Sequence, residues 1–195
     1  MKKLLLLLSP FIFLVVSNCY GASLIGSGIT SSCTSYDSAD ASGSGSYNYI
    51  SRYDSTRYCG LQVAENKTVC AVSFWAWTTD GDISGKTFTA YIYALSSNTF
   101  TPASPLATST NTISGSTVTS SDTELAFTFS PTAVTAGNHC IVISMDETDG
   151  TNFAKIHYNT TDTDDGFGAY GIWSNIGARI TYYSDRDIYY EVSTQ

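Results

Sequence analysis

Two tryptophans two residues apart, Trp75 and Trp77, are the side chains of this chain best suited to hold a ligand. Read with period two, the stretch from Thr68 to Thr78 gives one row of Cys70, Val72, Phe74 and Ala76 and a second of Ala71, Ser73, Trp75 and Trp77. Alternate residues of a strand share a face, so the first row predicts a core surface and the second sets two indoles outward, roughly 7 Å apart. Phe88, Ala90 and Ile92 form another inward row, with Tyr91, Tyr93 and Leu95 on its opposite side. If these two strands pair as a hairpin, Trp75, Trp77, Tyr91 and Tyr93 share one outer face. Indole and phenol faces stack on the apolar C–H faces of sugars, while neighbouring Asp or Asn side chains hydrogen-bond the hydroxyls. The competing reading is that the rings pack at the sandwich edge or beneath the Ser-rich N-terminal segment. Trp173 faces the same choice.

Acidic turns supply the second chemistry. Asp80 and Asp82 share one turn, Asp146, Glu147 and Asp149 a second, and Asp162, Asp164 and Asp165 a third. Calcium takes six to eight oxygen ligands, and the Asp162, Asp164 and Asp165 loop is the candidate for a structural calcium ion. None of the three runs has EF-hand spacing, and solvated turns are the preferred reading of them. No other cofactor is implied. Catalytic arrangements are scarce: there is no G-x-S-x-G, H-E-x-x-H or phosphate-binding glycine loop. His139 reads as a packed residue, and nothing in the sequence supplies His157 with a nucleophile. Glycoside hydrolysis needs a carboxylate pair at a defined separation, and no pair stands out among the aspartates.

The elements that would position these residues are short. Strands are predicted over 57–63, 68–77, 86–95, 106–110, 124–129, 138–145, 153–158, 168–173, 179–183 and 187–193. Turn residues separate them, including Asp80-Gly81, Ser130-Pro131, Asp149-Gly150 and Asp165-Gly166. At the last strand Ile188, Tyr190 and Val192 face inward, with Tyr189 and Glu191 outside. No helical apolar period is sustained. Short strands at this spacing predict an all-β fold, an antiparallel two-sheet β-sandwich, over residues 47–195. Residues 22–46, ending in Ala41-Ser-Gly-Ser-Gly-Ser46, read as a flexible Ser/Gly-rich lead-in.

The chain opens with Met1-Lys2-Lys3 and an apolar run from Leu4 to Val16, the pattern of a secretory signal peptide over residues 1–21. The run is shorter than the roughly 20 apolar residues of a membrane span. A lipid anchor would need a small residue before Cys19, where Asn18 stands. Removing residues 1–21 leaves seven basic against 17 acidic residues, a net charge of −10. So acidic a protein lacks the clustered cations that nucleic acid demands, and no later segment predicts a membrane span. A secreted, periplasmic or extracellular location follows. Beyond the leader lie Cys33, Cys59, Cys70 and Cys140. In an exported protein these are disulfide candidates with three connectivities, of which Cys33–Cys59 with Cys70–Cys140 is the pairing expected here.

The segments Cys59-Gly-Leu-Gln-Val63, Val69-x-x-Val-x-Phe74, Thr87-Phe-Thr-Ala-Tyr-Ile-Tyr93, Pro105-Leu-Ala-Thr-Ser109, Leu125-Ala-Phe-Thr-Phe129, Ala136-Gly-Asn-His-Cys-Ile-Val-Ile143 and Asp187-Ile-Tyr-Tyr-Glu-Val192 occur in that order. In these, the region from Cys59 to Val192 resembles the jelly-roll β-sandwich domains of exported bacterial proteins, phage-associated proteins and carbohydrate-binding modules, including the "choice-of-anchor R" type. The resemblance implies a jelly-roll fold more than an activity. The added cysteines depart from the usual form. Three functions follow as expectations. The first is a non-catalytic exported protein binding carbohydrate or a cell-surface glycan; the others are a structural or adhesive surface subunit and a secreted hydrolase.

Overall fold

A computed structural model describes residues 32–39, 46–50, 57–79, 81–97, 99–146, 151–159, 170–174, 179–183 and 187–195. They form strands β1 (Thr34–Ala39), β2 (Tyr47–Ile50), β3 (Arg57–Gln62), β4 (Lys67–Trp77), β5 (Thr87–Ala94), β6 (Ala107–Thr108) and β7 (Ile113–Ser114). After one 3₁₀ turn at Gly115–Thr117 come β8 (Thr123–Val134), β9 (His139–Met145), β10 (Ala154–Asn159), β11 (Tyr170–Ser174), β12 (Arg179–Tyr183), β13 (Asp187–Ile188) and β14 (Tyr190–Thr194).

Two antiparallel sheets hold these strands. The first runs β1-β14-β4-β10-β13, with β8 on β4 and β2 on β10; the second runs β12-β11-β3-β9-β5-β6, with β7 on β5. The chain passes from the first sheet to the second at β3, returns at β4, crosses to the second at β5, returns at β8, and crosses again at β9, β10, β11 and β13. Two antiparallel sheets packed face to face with such crossings make a β-sandwich. No helix among the described residues is long and apolar enough to cross a membrane.

The core follows the alternation of the sequence. Val72, Phe74 and Ala76 of β4, Phe88, Ala90 and Ile92 of β5, and Ile188, Tyr190 and Val192 near the C-terminus are buried together between the sheets. Gly60 is required where β3 pairs with β9, because a Cβ there would sit 2.0 Å from the Ile141 carbonyl oxygen. The predicted row changes at Cys70. A bulge between Val69 and Ala71, in the pairing with β8, gives Val69 the core place that simple alternation assigns to Cys70. The predicted turn at Ser130-Pro131 lies inside β8 at this same irregularity. Proline is tolerated there because, among the described strands, β8 ladders with β4 alone, leaving an edge on which a missing N–H breaks no ladder.

The lead-in expected over 22–46 is not wholly irregular, since Thr34–Ala39 pairs with β14 from Thr34↔Thr194 to Ala39↔Tyr190. Its sequence is polar on both faces, so no alternation announces it. Backbone pairing and local side chains hold it instead. The buried Tyr190 hydroxyl donates to Asp37 Oδ2 at 2.8 Å, satisfying a polar atom at the margin of the core. Tyr36 hydrogen-bonds Glu65, and the Lys67 ammonium lies 3.7 Å from the centre of the Tyr36 ring.

The expected disulfide pairing is also corrected: Cys33 is joined to Cys70, with Cα atoms 6.1 Å apart. Thr34 and Val69 both register with Thr194, which brings the two cysteines to the same end of the sheet. Cys59 and Cys140 are buried outside the disulfide. Cys59 belongs to the core between the sheets, whereas Cys140 belongs to a cluster on the other face of the second sheet. Neither the expected Cys33–Cys59 nor the expected Cys70–Cys140 bond can form from those positions.

Candidate functional site

The outer face of the first sheet carries both indoles. With Val72, Phe74 and Ala76 committed to the core, Ser73, Trp75 and Trp77 must project to the opposite side, and all three are half-buried there. Glu124 on β8 is directly opposite Trp75, while Glu191 on β14 is opposite Ser73. Lys155 on β10 is opposite Trp77, and His157 on the same strand is opposite Tyr47 of β2.

The rings of this face order one another. Trp75 stacks on Tyr189, with centroids 4.2 Å apart and planes 11° from parallel. Trp77 stacks on the imidazole of His157 at 3.8 Å and 15°, and meets Tyr47 edge-on at 5.7 Å. The band continues through Tyr49, edge-on to Tyr47 at 5.5 Å and to Phe153 at 4.9 Å. Pairs of this geometry contribute about 0.5–1.5 kcal/mol beyond the area they bury, enough to favour single rotamers on a surface. The indoles are therefore held in place rather than mobile.

Polar groups flank the band. His157 Nε2 is 3.1 Å from Asp122 Oδ1, and the Ser73 hydroxyl donates to Glu124 Oε1 at 2.7 Å. The Lys155 ammonium donates to Thr79 Oγ1 at 2.9 Å and lies 4.8 Å from the Tyr47 ring centre. His157 Nδ1 is buried and finds no hydrogen-bond partner among the described residues. The face thus pairs fixed aromatic surface with carboxylate acceptors, a combination suited to polyhydroxylated ligands. Alternation alone sets Tyr189 outside, but its stacking on Trp75 depends on strand pairing, as do the positions of His157 and Tyr47.

Tyr91 and Tyr93 do not join this face. Strand β5 pairs with β9, β6 and β7 in the second sheet, so the hairpin that would unite four rings does not form. Tyr93 is only 1% exposed. Its ring stacks on Phe100 at 4.1 Å, and its hydroxyl donates to the Pro102 carbonyl at 3.0 Å. Tyr91 is half-buried against Tyr93 at 5.7 Å. With Phe100, Cys140, Val142 and Leu95 these tyrosines form a small second core on the outer side of that sheet. Burial there pushes the Cys140 thiol pKa up.

Asp162, Asp164 and Asp165 lie outside the described residues, as does the side chain of Trp173. Among the described residues no three His, Cys, Asp or Glu side chains converge on a metal position. Asp82 instead caps its own turn, accepting the Ser84 amide at 2.8 Å, and Asp146 accepts the Thr87 amide. His139 is half-buried, its Nδ1 accepting the Thr135 amide at 2.9 Å across the β8–β9 turn. No protein-family model matches the chain, and no curated protein matches it.

Proposed function

We propose that this chain is an exported, non-catalytic β-sandwich protein that binds carbohydrate or a cell-surface glycan through the outer face of its first sheet. The observation that carries the reading is the placement of Trp75 and Trp77 on that face, each fixed by a stacked neighbour and each beside a carboxylate. Rings already locked by Tyr189 and His157 lose little rotamer freedom when a ligand arrives, and such preorganisation favours affinity. Sugar hydroxyls donate well to ionised carboxylates. Export is supported by the leader-like residues 1–21 and by the Cys33–Cys70 disulfide, a bond that persists in oxidising compartments.

Glycan arrays probed with the wild type and with a Trp75→Ala/Trp77→Ala variant test the reading. The wild type is expected to bind at least one glycan and the variant to lose that binding by about tenfold or more, the loss of some 1.4 kcal/mol. Absence of binding by both proteins would remove the proposal's basis. The second reading, a structural or adhesive surface subunit, is favoured by one feature, the polar strand β1 at the margin of the first sheet. It requires self-association in solution, which light scattering at high concentration measures.

A further inference from the structure

Taking the glycan reading as its premise, we infer that the face accepts uncharged saccharide chains and rejects those carrying carboxylate or sulfate. The acceptors beside the indoles carry the argument. Asp122 immediately precedes β8 and Glu124 is its second residue, along the flank of Trp77 and Trp75, and Glu191 is opposite Ser73 on the other flank. Asp122 engages His157 through Oδ1, and Glu124 engages Ser73 through Oε1. The second oxygen of each, Oδ2 and Oε2, makes no hydrogen bond among the described residues. A carboxylate oxygen accepts and never donates, so its complement is a hydroxyl, not another anion.

The positive side of the face does not balance this. Among the described residues Lys155 is the cation beside the indoles, and its ammonium is turned to Thr79 and the Tyr47 ring. An anionic sugar seated on Trp75 and Trp77 would therefore lie close to carboxylates, within the roughly 8 Å over which charges act at physiological salt. The net charge of the chain, −8 over its full length, adds repulsion at longer range. Like-charge juxtaposition of this kind acts as a device for rejecting wrong partners.

The test uses the whole protein against immobilised neutral chains (β-glucan, xylan, mannan, galactan) and anionic ones (polygalacturonate, alginate, hyaluronan, chondroitin sulfate). The best neutral ligand is then compared with the same chain after oxidation of primary or added hydroxymethyl groups to carboxylates. The expected result is binding to a neutral chain that weakens about tenfold or more on oxidation at low ionic strength, with the gap shrinking as salt rises. In Glu124→Gln, an exposed substitution whose folding is checked by thermal unfolding, neutral binding weakens with the loss of an ionised acceptor, while the ratio of neutral to oxidised-chain affinity falls toward one. Equal or tighter binding of the oxidised chain, or retention of anionic chains alone, overturns the inference and leaves the glycan reading standing if Trp75→Ala/Trp77→Ala still abolishes binding. Retention of no chain at all, or retention that ignores both tryptophans, overturns the glycan reading itself.

Discussion

Phe74 and Trp75 are neighbours in sequence with opposite duties. Phe74 is fully buried between the sheets, and Phe74→Ala is expected to cost about 3–5 kcal/mol through lost burial and the cavity left behind. Trp75 is half-buried and touches Tyr189 on the surface, so Trp75→Ala should cost only about 1–2 kcal/mol. Chemical denaturation of both variants checks the contrast, and equal losses would mean that Trp75 is a core residue. Cys140 gives a pH-dependent counterpart. Burial holds its folded-state pKa above the unfolded value, so at high pH the folded chain binds the proton that the unfolded chain has released. Its contribution to stability is therefore undiminished below about pH 8.5 and falls as pH rises beyond it, by at most about 1.4 kcal/mol per unit. Comparing the alkaline stability of wild type and Cys140→Ala isolates this slope, which should be shallower in the variant.

At the scale of elements, what is legible in the sequence is what depends on local alternation. The rows Val72/Phe74/Ala76, Phe88/Ala90/Ile92 and Ile188/Tyr190/Val192 can be read directly, because period two needs no knowledge of partners. Pairing is a different matter. Nothing local tells β4 to ladder with β8, β14 and β10 instead of β5, so the joint placement of Tyr91 and Tyr93 with the indoles is a reasonable expectation that topology defeats. Strand β1 is hidden for a related reason: a polar strand bound by its backbone leaves no hydrophobic signature. The open side of β8 is likewise protected by a contact alternation does not reveal. Asn111 donates Nδ2 to the Ala126 carbonyl and accepts the Thr128 amide, both at 2.9 Å, occupying ladder groups that could recruit another chain. The disulfide closes a separation of 37 residues, for which chain entropy gives about 4 kcal/mol. Cys33→Ser should accordingly destabilise the protein by about 2–4 kcal/mol. Hydrogen exchange should show β1 amides losing protection first, and unchanged β1 protection would contradict the role assigned to the bond.

For the whole molecule, the sandwich divides its aromatic residues between two faces with different fates. The second sheet covers its outer rings with Phe100 and the segment around Pro102, making a second small core. The first sheet leaves Trp75, Trp77, Tyr47 and Tyr189 partly open and borders them with carboxylates. The division gives the binding proposal its location and its control, because Trp173 belongs to β11 of the opposite sheet. The three tryptophans supply three indole N–H signals in a ¹⁵N-labelled protein. Titration with the neutral oligosaccharide selected by the array is predicted to shift the signals of Trp75 and Trp77 together, saturably, and to leave that of Trp173 in place. A shift confined to Trp173, or saturable binding that moves neither Trp75 nor Trp77, would contradict the assignment of the first sheet's outer face as the glycan site.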